Sequence, residues 1–145
     1  MADALTDILQ SVRMEGSVFS RAALTAPWGV ESGHMNNGVF HAVVRGRAWA
    51  RLAGEGVPVE LERGDVVVFP FGDNHLITDS LETATRPIGD LTTVDQNGMG
   101  HLIVEGGGPG TSLICGSLTF DSGEAHPVFS MLPHLIHVRD QDGRV

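Results

Sequence analysis

The run Gly64-Asp65-Val66-Val67-Val68-Phe69-Pro70-Phe71-Gly72-Asp73-Asn74-His75 constrains the chain more than any other stretch. A turn at Glu62 to Asp65 opens it, and four apolar β-formers follow, Val66 to Phe69. Pro70 and Gly72 then bend the backbone sharply, and Asp73, Asn74 and His75 lead into a second apolar pair, Leu76 and Ile77. The pattern predicts a buried strand, a tight turn and a returning strand that delivers His75 to the mouth or interior of a barrel. A titratable ring held there by rigid backbone suits a metal or a small polar molecule.

The rest of the chain repeats this grammar. Short apolar runs are separated by glycine-centred breaks, and Gly accounts for 19 of 145 residues. Strands are expected at Val18 to Leu24, Val39 to Arg45, Ala48 to Leu52, Val59 to Leu61, His101 to Val104, Ser112 to Phe120 and Leu135 to Val138. Glu31 to Gly38 reads as a polar loop, and Gly54-Glu55-Gly56 as a hairpin turn. Leu81 to Gly100 reads as a long surface loop with one helical turn near Ile88 to Leu91. Helical spacing of Leu5, Ile8, Leu9 and Val12 predicts a short helix from Ala4 to Arg13, stopped by Gly16. Pro127 to Leu132 reads as a second short helix with proline at its first position. Roughly eight or nine short strands, with helices only at the N- and C-termini, predict an all-β jelly roll or small barrel. No repeat or second domain is visible, so residues 1–145 read as one domain.

Charge narrows the partners. The chain has no lysine, nine arginines and a net charge of −9. That balance argues against direct contact with nucleic acid or with an anionic membrane. Cys115 is the one cysteine. It leaves no internal disulfide framework and fits a reducing compartment. The first ten residues carry acids where a signal peptide needs bases, and no run reaches the about 20 apolar residues of a membrane helix. The expectation is a soluble cytoplasmic domain. Gly106-Gly107-Gly108-Pro109-Gly110 lacks the Gly-Lys-Ser/Thr of a phosphate loop and reads as a flexible connection.

The candidate site residues follow from chemistry. His75 enters the barrel and needs a partner for each ring nitrogen. His41 interrupts an apolar strand and shares a face with Val39. His34 lies in a polar loop. Cys115 beside His75 and a second histidine would make a Cys-His-His site for one divalent metal such as zinc. The metal candidates are therefore His75, Cys115, His41 and His34. Trp28 and Trp49 suit an apolar effector pocket, a core or a dimer face. Arg45, Arg47 and Arg51 alternate along one strand and its extension, as a solvated face or as a grip on an anionic effector. Asp73 is placed to accept backbone N–H groups in its turn, and Asp79 to orient His75. No Ser-His-Asp order or nucleophile elbow occurs, so no catalytic residue is assigned.

The spacing Gly64, five residues, Pro70, one residue, Gly72, two residues, His75 resembles the second signature of the cupin superfamily, G-x5-P-x-G-x2-H. Asp79 stands where that pattern has Asn. The first signature is eroded. Counting back from Gly46, its Glu slot holds Val39; its two His slots hold Ser32 and His34 on the four-residue spacing, or Gly33 and Met35 on the three-residue spacing. A wider resemblance runs through A-P-W-G at Ala26 to Gly29, F-H-A-V-V-R-G-R-A at Phe40 to Ala48, C-G-S-L-T-F-D at Cys115 to Asp121 and H-P-V-F-S-M-L-P at His126 to Pro133. Together with Gly64 to His75, these segments resemble the N-terminal cupin domain of AraC-type transcription regulators. The resemblance implies a cupin-type jelly-roll barrel that senses a small molecule and forms a homodimer. DNA would be contacted by a C-terminal helix-turn-helix half not present in these residues. The expected effector contacts are His41, His75, Trp28, Trp49 and Arg45. The alternative is a small metal-dependent cupin enzyme, an oxygenase or isomerase.

Overall fold

The structure is a computed structural model that describes residues 14–54, 56–120 and 129–140. Two sheets face one another. The larger has seven strands, in the spatial order β12 (Ile136–Val138), β6 (Val66–Phe69), β3 (Gly38–Arg45), β11 (Gly110–Phe120), β1 (Met14–Thr25), β10 (Gly100–Glu105) and β9 (Thr92–Val94). The smaller has five, in the order β5 (Val59–Glu62), β4 (Arg47–Leu52), β7 (His75–Thr78), β2 (Gly29–Glu31) and β8 (Arg86–Pro87). All pairings are antiparallel except β1 with β10 and β2 with β8.

Period-two alternation sorts the side chains between faces. Val43 on β3, Ala48 and Ala50 on β4, Val67 and Phe69 on β6, Ile77 on β7 and Leu113 and Cys115 on β11 are buried in one cluster between the sheets. Phe69 and Leu61 are wholly buried there, each stabilising the fold by about 2–3 kcal/mol through lost apolar exposure. A second cluster of Val68, Leu118, Leu132 and Ile136 gathers Phe40, Val66 and Phe71 on the outer face of the larger sheet. Gly116 makes that packing possible. It pairs with Phe40 across β11 and β3, and a Cβ at Gly116 would strike the Phe40 ring and the Ser17 carbonyl.

The chain crosses between the sheets several times, and two of these corners turn on a single glycine. Between β3 and β4 the turn is Gly46, with φ +81. Between β6 and β7 it is Gly72, with φ +70, in the left-handed region that glycine adopts freely. A side chain at Gly72 would also strike the Met35 and Asn37 carbonyls. The expected strand, turn and returning strand are therefore present, but they form a corner between sheets and not a hairpin. That corner brings His75 inside the barrel.

The outline of the expected fold holds, with three changes. There are twelve strands among the described residues. Leu81 to Gly100, read as a loop, carries the edge strands β8 and β9 around a helical turn, α1 (Ile88–Leu91), which lies where it was expected. The supposed loop from Glu31 begins with the end of β2, paired to β7. Phe129–Met131 form a 3-10 turn within the expected C-terminal helix. The N-terminal helix from Ala4 to Arg13 and the start of the C-terminal one lie outside the described residues.

Candidate functional site

His41 and His75 meet inside the barrel. His41 comes from β3 of the larger sheet and is 4% exposed; His75 opens β7 of the smaller sheet and is 1% exposed. Their Nε2 atoms are 2.8 Å apart. Phe69 backs the pair. Its ring stacks on His75 at a centroid distance of 3.7 Å and meets His41 edge-on at 6.2 Å.

The hydrogen bonds determine the tautomers. His75 Nδ1 lies 2.9 Å from the Asp73 carbonyl oxygen. A carbonyl only accepts, so Nδ1 carries the proton. The Ser32 hydroxyl lies 3.0 Å from the same nitrogen and donates to the Gly33 carbonyl, which leaves its oxygen free to accept as well. With Nδ1 protonated, neutral His75 presents a lone pair at Nε2, and His41 Nε2–H donates to it. His41 Nδ1 is then an unprotonated acceptor. It is buried and has no hydrogen-bond partner.

Burial and neighbouring charge agree with this assignment. Desolvation pushes His75 down to about 4, against the opposing backbone bond and charge of Asp73. Burial, reinforced by His75, holds His41 well below the usual histidine range. With both rings pushed below the usual histidine range, both are neutral at pH 7.

A clasp of loop residues holds His75 in place. Its N–H donates to Ser32 Oγ at 3.0 Å, and its carbonyl accepts from Ser32 N–H at 2.9 Å. Asn74 donates to Glu31 Oε2 at 2.6 Å and accepts from Gly33 N–H at 2.8 Å. Asp73 pairs through its carboxylate with His134 at 2.9 Å, tying the C-terminal segment to the same turn. Ser32, Asn74 and Phe69 were not singled out from the sequence as site residues. Ser32 had a signal, since it fills the first His slot of the eroded signature and still reaches the His75 ring.

The other expected residues fall elsewhere. Trp28 is buried in the barrel core, and its indole Nε1–H has no partner. Trp49 points away from the core, opposite in sense to Ala48 and Ala50. Arg45 ends β3 in solvent, where a Cβ on Gly110 would lie 3.1 Å from its guanidinium. Neither Trp49 nor Arg45 shares the barrel interior with the histidine pair. Asp79 does not orient His75; its Oδ1 accepts from Trp28 N–H at 3.1 Å and Thr83 Oγ1 at 2.7 Å. Asp73 contributes its carbonyl to His75 rather than a carboxylate to the turn.

The metal set does not assemble. Cys115 is paired with His41 across β11 and β3, and burial pushes its thiol up to about 12. His34 is exposed on its loop. The His75 lone pair is taken by His41, and among the described residues no three His, Cys, Asp or Glu side chains converge to hold a metal ion. Structural zinc takes four ligands and catalytic zinc about three, so these residues do not fit a zinc-type divalent site.

Two facing sheets, joined at glycine corners around a buried histidine of the second signature, define a cupin-type jelly-roll barrel. A family model described as Cupin matches residues 3–145, and the chain belongs to the cupin family. Comparison with curated proteins gives no match. Among the described residues no helix is long and apolar enough to cross a membrane.

Proposed function

We propose that this barrel is the small-molecule-sensing and dimerisation domain of an AraC-type transcription regulator. The observation that supports it is the His41–His75 pair: two neutral imidazoles bonded to each other inside the barrel, with one ring acceptor, His41 Nδ1, left without a partner. An unsatisfied buried acceptor costs about 1–3 kcal/mol. A ligand O–H or N–H delivered to it recovers that cost, and the gain exists only in the conformation that presents the site. That differential is what a sensor needs. The ligand class is a small neutral hydrogen-bond donor, since the two buried rings resist protonation and offer no positive charge to an anion. The domain itself is acidic, with a net charge of −9, so DNA contact is assigned to another part of such a regulator.

Thermal unfolding against a panel of small alcohols, polyols and amides tests the reading. A hit that raises Tm in the wild type and loses its effect in His41→Leu supports it. A metal-dependent cupin enzyme would behave differently. Stoichiometric iron or manganese after purification, lost in His75→Asn and accompanied by substrate turnover, would overturn the sensor reading.

A further inference from the structure

The outer face of the smaller sheet holds a pocket that has no part in the barrel site. Trp49 and Arg51 project from β4, and Leu76 and Thr78 from β7. They are cross-strand neighbours, Trp49 opposite Thr78 and Arg51 opposite Leu76. Ala50 and Ile77, the alternate residues, sit in the barrel core. The segment after β7 closes the pocket with Leu81 and Thr85. The pocket is open on one side and has a volume of about 190 Å³, below the about 300–1,000 Å³ of drug-sized sites, so the occupant is a fragment-sized molecule.

The rim is built rather than loose. The Thr83 hydroxyl donates to Asp79 Oδ1 at 2.7 Å and lies 3.0 Å from Ser80 Oγ. The Ala84 carbonyl sits against Gly29 so closely that a side chain there would strike it. Within this frame Arg51 is the odd member. Acids outnumber arginines by 18 to nine, yet the one hydrogen bond that Arg51 makes among the described residues is a 3.3 Å contact from Nη1 to the Gly54 carbonyl. Arg47, four residues earlier on the same strand, pairs with Glu60 at 3.5 Å. Among the described residues no carboxylate pairs with Arg51, and the hydroxyls of Thr78 and Thr85 make no hydrogen bond.

We infer that this pocket binds a small planar carboxylate. Its carboxylate takes the guanidinium fork of Arg51, its flat body lies along the Trp49 indole, and the threonine hydroxyls supply further donors. The site is independent of the barrel reading, because neither His41 nor His75 lines it.

Titration of 15N-labelled protein with benzoate, with benzamide as the uncharged control, tests this through the indole N–H resonances. Trp49→Phe assigns the two signals, and the buried Trp28 signal reports that the fold is intact. Benzoate is expected to shift the Trp49 resonance saturably, at concentrations on the order of 1 mM for so small a ligand. Benzamide and the Arg51→Gln variant are each expected to bind at least about tenfold more weakly. Arg51→Lys keeps the charge without the fork and falls between. His41→Leu leaves the response unchanged, which separates this site from the barrel. No saturable shift, an equal response to benzamide, or an undiminished response in folded Arg51→Gln would overturn the proposal. So would a Trp49 shift that tracks protein concentration instead of benzoate, which would mark this face as a contact between copies of the chain.

Discussion

Acid should unfold this domain early, and the histidine pair sets where. His75 has a folded-state pKa of about 4 against 6.5 in the unfolded chain. Between those values the unfolded chain binds a proton that the folded chain refuses, so stability rises with pH through the window and is fully present above it. At 1.36 kcal/mol per unit, the complete loss from His75 is about 3 kcal/mol, of which about 2 kcal/mol is gone by pH 5. His41, depressed by the same burial, adds in the same direction. Against a typical stability of about 5–15 kcal/mol this is a large fraction. The assay is urea unfolding at pH 8, 7, 6 and 5 with a chelator present, comparing wild type with His41→Leu/His75→Asn. Asparagine keeps a donor for the Asp73 carbonyl, and leucine removes the orphan acceptor. Wild type should lose about 2 kcal/mol or more between pH 8 and pH 5 relative to the double variant. Asp65, held below its ordinary range by Glu62 N–H, Asp140 N–H and His137 in spite of its burial, titrates under this window and does not contribute. Parallel pH profiles for the two proteins would refute the buried neutral pair. Imidazole 15N shifts give an independent check in the wild type alone: the proton belongs on Nδ1 of His75 and on Nε2 of His41, and the opposite pattern would also sink the reasoning.

Gly72→Ala places a side chain at φ +70 against the Met35 and Asn37 carbonyls; a loss of about 2 kcal/mol or more is expected in urea unfolding. Gly116→Ala should destabilise through the Phe40 ring, and Phe40→Leu added to it should recover part of the loss. A double-mutant cycle that comes out additive would remove that contact as the cause. Cys115, 1% exposed and with its thiol pushed up to about 12, should react with a thiol reagent only as fast as the domain unfolds. Fast labelling of the native protein at pH 7 would contradict its burial.

Local chemistry was readable from the sequence and partnership was not. Val66 to Phe69, the Gly72 bend and the turn at Ile88 to Leu91 follow from residue preferences within a few positions, and all three stand where expected. His41 and His75 are 34 residues apart, and no local rule states that β3 and β7 present them to each other across the barrel. Strand parity held the answer for Trp49: Ala48 and Ala50 are small enough for the interior, while Arg47 and Arg51 share the parity of Trp49 and need solvent. Reading that alternation as a face assigns Trp49 outward. The strands β8 and β9 carry only two and three residues, too few for an alternating pattern. Asp79 was assigned to His75 by proximity in sequence, whereas its oxygen serves a main-chain N–H 51 residues away.

Val39 stands in the Glu slot of the first cupin signature, and an apolar side chain there bears on the form of the site. A carboxylate in that slot would help hold a cation against His75. With Val39 there, 2% exposed, a cation loses a charged ligand and the His75 lone pair needs another partner. His41, two residues along on the same inward face, supplies it as an N–H donor. This arrangement leaves the acceptor deficit one ring further on: His75 is satisfied at both nitrogens, and His41 at one. An apolar residue at position 41 would orphan His75 Nε2, and a carboxylate there would face no compensating charge among these neutral rings. Histidine satisfies the inner ring while leaving one buried ring acceptor, His41 Nδ1, without a partner. Ligand selection at such a point is set by one hydrogen bond in low dielectric, where a donor and a non-donor of equal shape are separated far more sharply than in water.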